Sequence, residues 1–202
     1  MHVTDLLSVI QYRRSVRRYA ADPVPRSLLE TLLQAAVWAP SAHNRQPWRF
    51  AVVERIRQKE ELAAAMGERL RADRLAAGDS PEAVAQDVER SRRSLTQAPA
   101  LLVFCMSMLE MDKYPDALRA QSERTMAVQS VALAAQNLLL TAHAAGLGAC
   151  WRCAPLFCSE RVRRTLKLPV DWEPQALITL GYPAEVGKPA ERRPLTEVVR
   201  WL

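Results

Sequence analysis

The chain has 202 residues, of which 49% are hydrophobic and 25% are charged, a balance typical of a folded globular domain rather than a disordered chain. Its net charge of +6 allows nucleic acid, an anionic membrane or an anionic small ligand as partners. Its 28 basic residues are spread along the chain and aromatic residues make up only 6%, so we expect no nucleic-acid partner.

The length predicts a single domain over residues 1–202. No basic segment followed by an apolar one stands at the amino terminus, so the sequence predicts no secretory signal. We therefore expect a cytoplasmic protein whose four cysteines are thiols.

The first half of the chain alternates helices and strands. A short helix carrying Leu6, Leu7, Val9 and Ile10 is followed by a second over residues 27–38, which Pro40 ends. Further helices are predicted over residues 57–77 and from Ser80, a capping residue, to residue 96. Strands are predicted at residues 48–53 and 100–106.

The second half contains the most apolar stretch, residues 127–147. Its several polar residues predict a buried helix over residues 122–145 rather than a membrane span, and Gly146 ends that helix. Extended segments follow at residues 149–153 and 175–180, with a short helix capped by Ser159 between them. The sum is an α+β fold, with a proline-rich, charged carboxyl-terminal extension over residues 181–202.

Several common site motifs are absent from the sequence. The G-x-G at residues 146–148 follows a helix and lacks the third glycine of a dinucleotide-binding turn. The histidines lack metal-ligand spacing, so we expect no metal site. No nucleophile with a matching base can be identified, so a bound cofactor is expected to carry the chemistry and no side chain is assigned a catalytic role.

The first informative motif is the arginine segment, residues 13–18, which reads Arg-Arg-Ser-Val-Arg-Arg. Guanidinium forks and a hydroxyl suit the charge and the acceptor oxygens of a phosphate monoester. By itself the segment is also compatible with a solvated basic turn.

The second motif is the proline loop, residues 39–48, in which two prolines enclose Ser41, Asn44 and Gln46. These side chains and the free backbone groups suit recognition of a flat heteroaromatic edge. An ordinary connection between a helix and a strand would have the same composition.

Together the two motifs resemble the nitroreductase superfamily, in which R-R-S-x-R is followed by P-S-x-x-N-x-Q-P-W. Segments at residues 146–151, 178–183 and 192–199 also resemble that family. Within it, residues 114–117, 123–126 and 168–174 are similar to the C-terminal flavin domain of the γ-glutamyl ligase that completes the deazaflavin coenzyme (coenzyme F-420). The sequence contains no ligase domain, so the resemblance implies the reductase activity and not glutamyl transfer.

The resemblance implies an FMN-binding homodimer with a nitroreductase-like fold: a central, mostly antiparallel sheet flanked by helices, and the tail extended onto the partner subunit. Asp73 and Trp151 match positions near the acceptor. The residues implied to hold the cofactor are Arg13, Arg14, Ser15, Val16, Arg17, Pro40, Ser41, Ala42, Asn44, Arg152, Cys153, Lys188, Arg192 and Arg193.

Each group has a distinct implied role. Residues 13–17 hold the phosphate and ribityl chain, and Arg17 lies near the flavin N1/O2 edge. The proline loop reaches the flavin of the partner subunit, and the backbone N–H near Cys153 faces flavin N5. The basic tail residues close over the phosphate.

The implied activity is hydride transfer through flavin N5 by a ping-pong mechanism, with NAD(P)H or a reduced deazaflavin as donor and a conjugated or aromatic small molecule as acceptor. That acceptor is a dehydro precursor of the deazaflavin coenzyme or, alternatively, a range of nitro compounds and quinones. A flavin or deazaflavin carrier without turnover is the non-enzymatic alternative. Arginines at residues 90–93 are either a solvated helix face or a site for an acidic tail.

Overall fold

The computed structural model describes residues 3–202, with side chains from residue 5 onward. Its helices and strands follow one another in the order that the hydrophobic patterns predict, except that the short helix in the carboxyl-terminal extension was not predicted. The helices are α1 (Val3–Tyr12), α2 (Arg26–Val37), α3 (Ile56–Ala76), α4 (Pro81–Thr96), α5 (Ala117–Ala144), α6 (Ser159–Thr165) and α7 (Leu195–Val198). The strands are β1 (Trp48–Val53), β2 (Ala100–Met106), β3 (Gly148–Arg152) and β4 (Glu173–Gly181).

The strands form one antiparallel sheet in the order β1-β2-β4-β3, which confirms the predicted α+β architecture with helices on both faces. The central strand β2 is buried along its whole length. Since side chains alternate across a strand, its even-numbered residues pack towards α2 and α5 and its odd-numbered residues towards α3 and α6. Two apolar layers therefore enclose the sheet.

Helix α5 is long and apolar enough to span a bilayer by length and composition. One face of it is buried against α2 and the sheet, including Val131, Ala134 and Leu138. It is a core helix, as its polar content predicts. Gly146 ends it with φ +76°, and Leu147 N–H donates to Ala142 O, closing the last turn.

Two predicted helix starts differ from the structure. Helix α5 begins at Ala117 rather than residue 122, because Asp116 caps it by accepting a hydrogen bond from Arg119 N at 2.9 Å. Ser159 was predicted to cap α6 but is its first helical residue. Cys158 occupies the cap position, and its side chain makes no capping hydrogen bond.

Candidate functional site

The arginine segment runs along β3 like a further short strand. Ser15 bridges Ala149 in parallel, and Val16 N donates to Ala149 O at 3.1 Å. Val16 is buried against Gly148, where a Cβ atom would lie only 2.7 Å from the valine side chain. Because side chains alternate in extended backbone, Ser15 and Arg17 face away from Val16 and are exposed.

Tyr19 fastens the arginine segment to the sheet. Its hydroxyl lies 2.6 Å from Val16 O, 3.0 Å from Thr179 O and 2.7 Å from Thr179 Oγ1. Burial raises the pKa of Tyr19 well above its usual value, so the hydroxyl keeps its proton and remains a donor. Tyr19 directly follows the arginine segment, but its role cannot be predicted from the sequence, because it depends on a contact with distant β4.

A cleft of about 270 Å³ opens beside the arginine segment. It is lined by Arg13, Arg14, Ser15, Arg17, Lys188, Pro189, Ala190 and Arg192. Within residues 3–202, none of the five cationic side chains forms an ion pair with a carboxylate. Such a group of like charges is stabilised when an anion enters the cleft.

Arg13 is the residue of the cleft whose surroundings best indicate an anion-binding role. Its Nε is buried and has no hydrogen-bond partner among the described residues. Its neighbour Arg14 is engaged locally, with Nη1 donating to Gln11 O and to Arg13 O. A buried N–H without an acceptor is costly, so a ligand oxygen at this point would satisfy the side chain.

The tail reaches the cleft by packing along the arginine segment. Ala184 N donates to Arg18 O at 3.0 Å, and Pro183 bridges Tyr19. Gly187 then passes so close to Arg14 that a Cβ atom would lie 2.4 Å from the Cβ atom of Arg14. This glycine, which no motif in the sequence marks, brings the following Lys188 and Arg192 to the cleft.

Arg193 does not line the cleft and is exposed. Of the two tail arginines that the sequence left open, the structure therefore places Arg192 at the cationic cleft.

The proline loop has an unusual backbone. His43, Asn44 and Gln46 have φ values of +48°, +54° and +50°, in the left-handed region that non-glycine residues rarely occupy. The loop is held by Ser41, whose Oγ accepts from Gln46 N at 3.0 Å and whose carbonyl accepts from Asn44 N. Left-handed residues concentrate at functional sites, where the surroundings hold them in place.

The two motifs lie at opposite corners of the sheet. The proline loop precedes edge strand β1, whose first residue Trp48 pairs with Met106, whereas Ser15 lies beside the opposite edge strand β3, level with Ala100. Four strand spacings and six residues along a strand separate Trp48 from Ser15 by roughly 28 Å. Within one chain, the two motifs do not form one compact site.

The far end of β3 carries the other predicted site residues. Strand β3 continues from Ala149, which lies beside the arginine segment, to Arg152. Cys153 comes next and lies about 13 Å from Ala149 along the same edge. Trp151 is half-buried against Phe104, and its Nε1 donates to Cys153 Sγ at 2.9 Å. Cys150 is buried, Cys153 is exposed, and both are free thiols.

Asp73 is exposed on α3, where both of its carboxylate oxygens accept from Arg69 Nε at 2.7 Å. It does not line the cationic cleft. The arginines at residues 90–93 are engaged as well: Arg90 pairs with Asp87, and Arg92 and Arg93 pair with Glu89. On this part of α4, the three arginines share two carboxylates, Asp87 and Glu89.

Comparison with known proteins assigns these features to a family. The profile of the Nitroreductase family matches residues 10–182, which include the arginine segment, the proline loop and the whole sheet. An NADH dehydrogenase of Thermus thermophilus is 36% identical, with 98% of this chain and 97% of that protein covered. A protein of Methanothermobacter thermautotrophicus assigned as an NADH dehydrogenase/NAD(P)H nitroreductase is 35% identical over 90% of this chain and 78% of its own.

Among solved structures, a protein of Desulfovibrio desulfuricans assigned as a nitroreductase and crystallised in complex with FMN has a TM-score of 0.75. It is 28% identical, with 96% of this chain and 94% of that chain covered.

Proposed function

The chain belongs to the nitroreductase family, and on that premise we propose that it is an FMN-dependent oxidoreductase that accepts electrons from a reduced nicotinamide. The observation that carries the proposal is the cleft lined by five cationic side chains without carboxylate partners in the described chain. The names of the relatives support a nicotinamide donor, and the FMN complex of the Desulfovibrio desulfuricans protein supports the cofactor.

The residues of the cleft fit a phosphate group. Arg13 offers its unsatisfied Nε, Ser15 an exposed hydroxyl, and Lys188 and Arg192 two further charges from the tail. A phosphate monoester carries nearly two negative charges and three acceptor oxygens, which this set of donors matches. We assign the FMN phosphate to this cleft, with Arg17 directed at the next part of the cofactor.

The remainder of the cofactor would extend along β3 towards Trp151 and Cys153. Bound there, FMN would supply two-electron redox chemistry between the nicotinamide donor and the acceptor. The residues of this edge would hold the ring, and Arg17 would supply positive charge beside it. This end of β3 is exposed, so solvent can supply protons and no side chain is required as a general acid or base.

A homodimer would complete the site. The proline loop lies too far from the arginine segment of its own chain to act there, so we propose that Pro40, Ser41, Ala42 and Asn44 serve the cofactor of the partner subunit. Apolar side chains exposed on α1 and on the tail suit such an interface: Leu6 is 41% exposed, Ile10 44% and Trp201 94%. The tail over residues 181–202 would then lie across the partner.

The acceptor proposed here is a small conjugated molecule such as a nitroaromatic compound or a quinone. A dehydro precursor of the deazaflavin coenzyme, or reduced deazaflavin as the donor, would need a basic groove for the rest of that molecule. The arginines of α4 do not provide it, since Asp87 and Glu89 already pair with them. Asp73 and Trp151 remain proposed to lie near the acceptor.

Reduction by a nicotinamide and reoxidation by a quinone, measured separately, test this proposal and distinguish an enzyme from a flavin carrier. FMN-loaded protein, kept anaerobic, should lose its visible flavin absorption on addition of NADH or NADPH and regain it when a quinone is added. A carrier would bind FMN with neither change. Retention of flavin colour with both nicotinamides, while free FMN with a known reductase is bleached in the same buffer, would contradict the proposed activity.

A further inference from the structure

The turn that follows β2, residues 107–112, is anchored in the core at two points. Ser107 is fully buried, its Oγ donates to Asp171 Oδ2 at 2.8 Å, and its backbone N donates to Pro47 O of the proline loop at 2.8 Å. Met111 is also buried and packs in the apolar layer below α5. The turn therefore presents its polar side chains to the proline loop from fixed positions.

Two ion pairs join this turn to the proline loop and to the strand after it. Asp112 Oδ1 accepts from Arg45 Nη2, and Glu110 Oε1 lies 4.0 Å from Arg49 Nη2. Asp112 directly follows the buried Met111, so its carboxylate has little freedom to follow a moving loop. The ion pair with Arg45 thus ties the loop to an immobile part of the chain.

Arg45 stands at the most strained part of the loop. Its own backbone is ordinary, with φ −71° and ψ −18°, but Asn44 before it and Gln46 after it both have positive φ. Residues other than glycine keep such a conformation only where their surroundings hold them in it. An ion pair from the residue between them to the turn at residues 107–112 supplies such a hold.

The strained residues themselves keep their side chains free for contacts outside the chain. The side chains of His43, Asn44 and Gln46 are exposed, and none of them forms a hydrogen bond with a residue that the structure describes. The proposed function assigns this loop to the cofactor of the partner subunit, and the present inference rests on that assignment.

We propose that Asp112 is a positioning residue for the cofactor site of the partner subunit: through its ion pair with Arg45, it holds the proline loop in the conformation in which Asn44 reaches that cofactor. Asp112 itself does not touch the cofactor. Its effect is therefore exerted on the partner's site and not on the site beside the arginine segment of its own chain.

Reversal of the charge tests the ion pair. Asp112→Arg sets a guanidinium against Arg45 and should weaken FMN binding about tenfold, measured by fluorescence titration. A double variant with Arg45→Glu and Asp112→Arg restores opposite charges in exchanged positions and should bind FMN within about twofold of the wild type. Glu30→Arg, which reverses the charge in an exposed ion pair on α2, is the control and should keep the wild-type affinity.

If circular dichroism shows that Asp112→Arg does not fold, Asp112→Ala takes its place. This variant removes the carboxylate without adding a charge, and its FMN affinity should fall about threefold.

Subunit exchange tests which site Asp112 serves. After exchange between equal amounts of Asp112→Arg and Arg13→Gln, about a quarter of all sites should regain wild-type affinity, because one site of each mixed dimer combines an unchanged arginine segment with an unchanged proline loop. A residue that only stabilised its own chain would weaken the site beside its own arginine segment, and such a mixture would show no recovery.

Three results would overturn the inference. Unchanged FMN affinity in Asp112→Arg, or a double variant that binds no better than Asp112→Arg alone, would remove the ion pair from the site. Absence of recovery with Asp112→Arg, when Asn44→Gly does recover with Arg13→Gln, would show that Asp112 does not act on the partner's site. All three leave the proposed function intact, whereas failure of the wild-type protein to bind FMN would overturn the proposed function and this inference with it.

Discussion

Arg13 shows how a single side chain can indicate a ligand. Its Nε is buried without an acceptor in the described chain, and the arginines around it repel one another until an anion enters the cleft. Charge-assisted hydrogen bonds to phosphate are among the strongest in proteins, so this residue should contribute substantially to cofactor binding.

Replacing Arg13 by glutamine should weaken FMN binding by roughly tenfold to a hundredfold, because one charge-assisted contact to the phosphate is lost. Fluorescence titration of the apoprotein with FMN measures the effect. Riboflavin, which lacks the phosphate, should bind the variant and the wild-type protein equally. An unchanged FMN affinity, with Arg26→Gln as the exposed control, would remove Arg13 from the site.

Cys105 gives a residue-scale prediction about stability. It is fully buried in β2, and burial raises its pKa to about 12, whereas an unfolded thiol titrates near 8.5. Between these values the folded state binds more protons than the unfolded state, so the free energy of unfolding falls as pH rises above about 8.5.

Between pH 7 and pH 10, the free energy of unfolding measured with urea should therefore fall about 2 kcal/mol more for the wild-type protein than for Cys105→Ala. Cys153→Ala, which removes an exposed thiol, should lose as much as the wild type. If the free energy of unfolding falls equally in the wild type and in Cys105→Ala, the raised pKa of Cys105 is refuted.

At the scale of elements, the arginine segment is positioned by β3 on one side and by Tyr19 on the other. The tyrosine hydroxyl joins the carbonyl of Val16 to Thr179 of β4, so the segment is fixed before any ligand arrives. Preorganised donors bind a ligand more tightly because less conformational freedom is lost on binding.

Tyr19→Phe should lower the free energy of unfolding by about 1–2 kcal/mol, since buried acceptors lose their donor. FMN affinity should fall several-fold in the same variant. Thermal unfolding and FMN titration check the two effects, with exposed Tyr12→Phe as the control. Loss of stability without loss of affinity would show that Tyr19 holds the sheet but does not organise the binding segment.

The elements that the sequence predicts best are those whose signals are local. Gly146 ends α5, and Ser80 caps α4 by accepting from Ala83 N, both as predicted. The start of α5 was missed because its first turns are exposed and carry no continuous apolar face, so only the cap at Asp116 marks them. A cap without an adjacent apolar pattern is easily taken for loop.

The candidate site likewise contains residues that the sequence predicts and contacts that it does not. Residues 13–17 were predicted from their own chemistry and from the family resemblance. The contacts of Tyr19 with Thr179, of Arg152 with Ser94 and of Gly187 with Arg14 join residues far apart in the chain. No local pattern specifies such contacts, because they depend on strand order and on the path of the tail.

At the scale of the molecule, the order β1-β2-β4-β3 keeps the proline loop and the arginine segment at opposite corners of the sheet. A site that uses both must combine them from two chains. Two-fold symmetric dimers present the same surface twice, so one interface would create two equivalent sites.

Mixing of variants tests this arrangement. Arg13→Gln and Asn44→Gly should each bind FMN weakly as homodimers, the glycine being chosen because Asn44 has a positive φ. After subunit exchange between equal amounts, about a quarter of all sites should regain wild-type affinity, because each mixed dimer contains one site with neither change. No recovery in a mixture shown to contain mixed dimers would place both motifs in one chain's site.

The most direct test of FMN binding is the visible absorption spectrum of the purified protein, followed by identification of the pigment released on heating. We predict a flavin spectrum and FMN at about one molecule per chain. A colourless protein that also fails to take up added FMN, while its circular dichroism shows a folded chain, would contradict the assignment of the cationic cleft as a cofactor phosphate site.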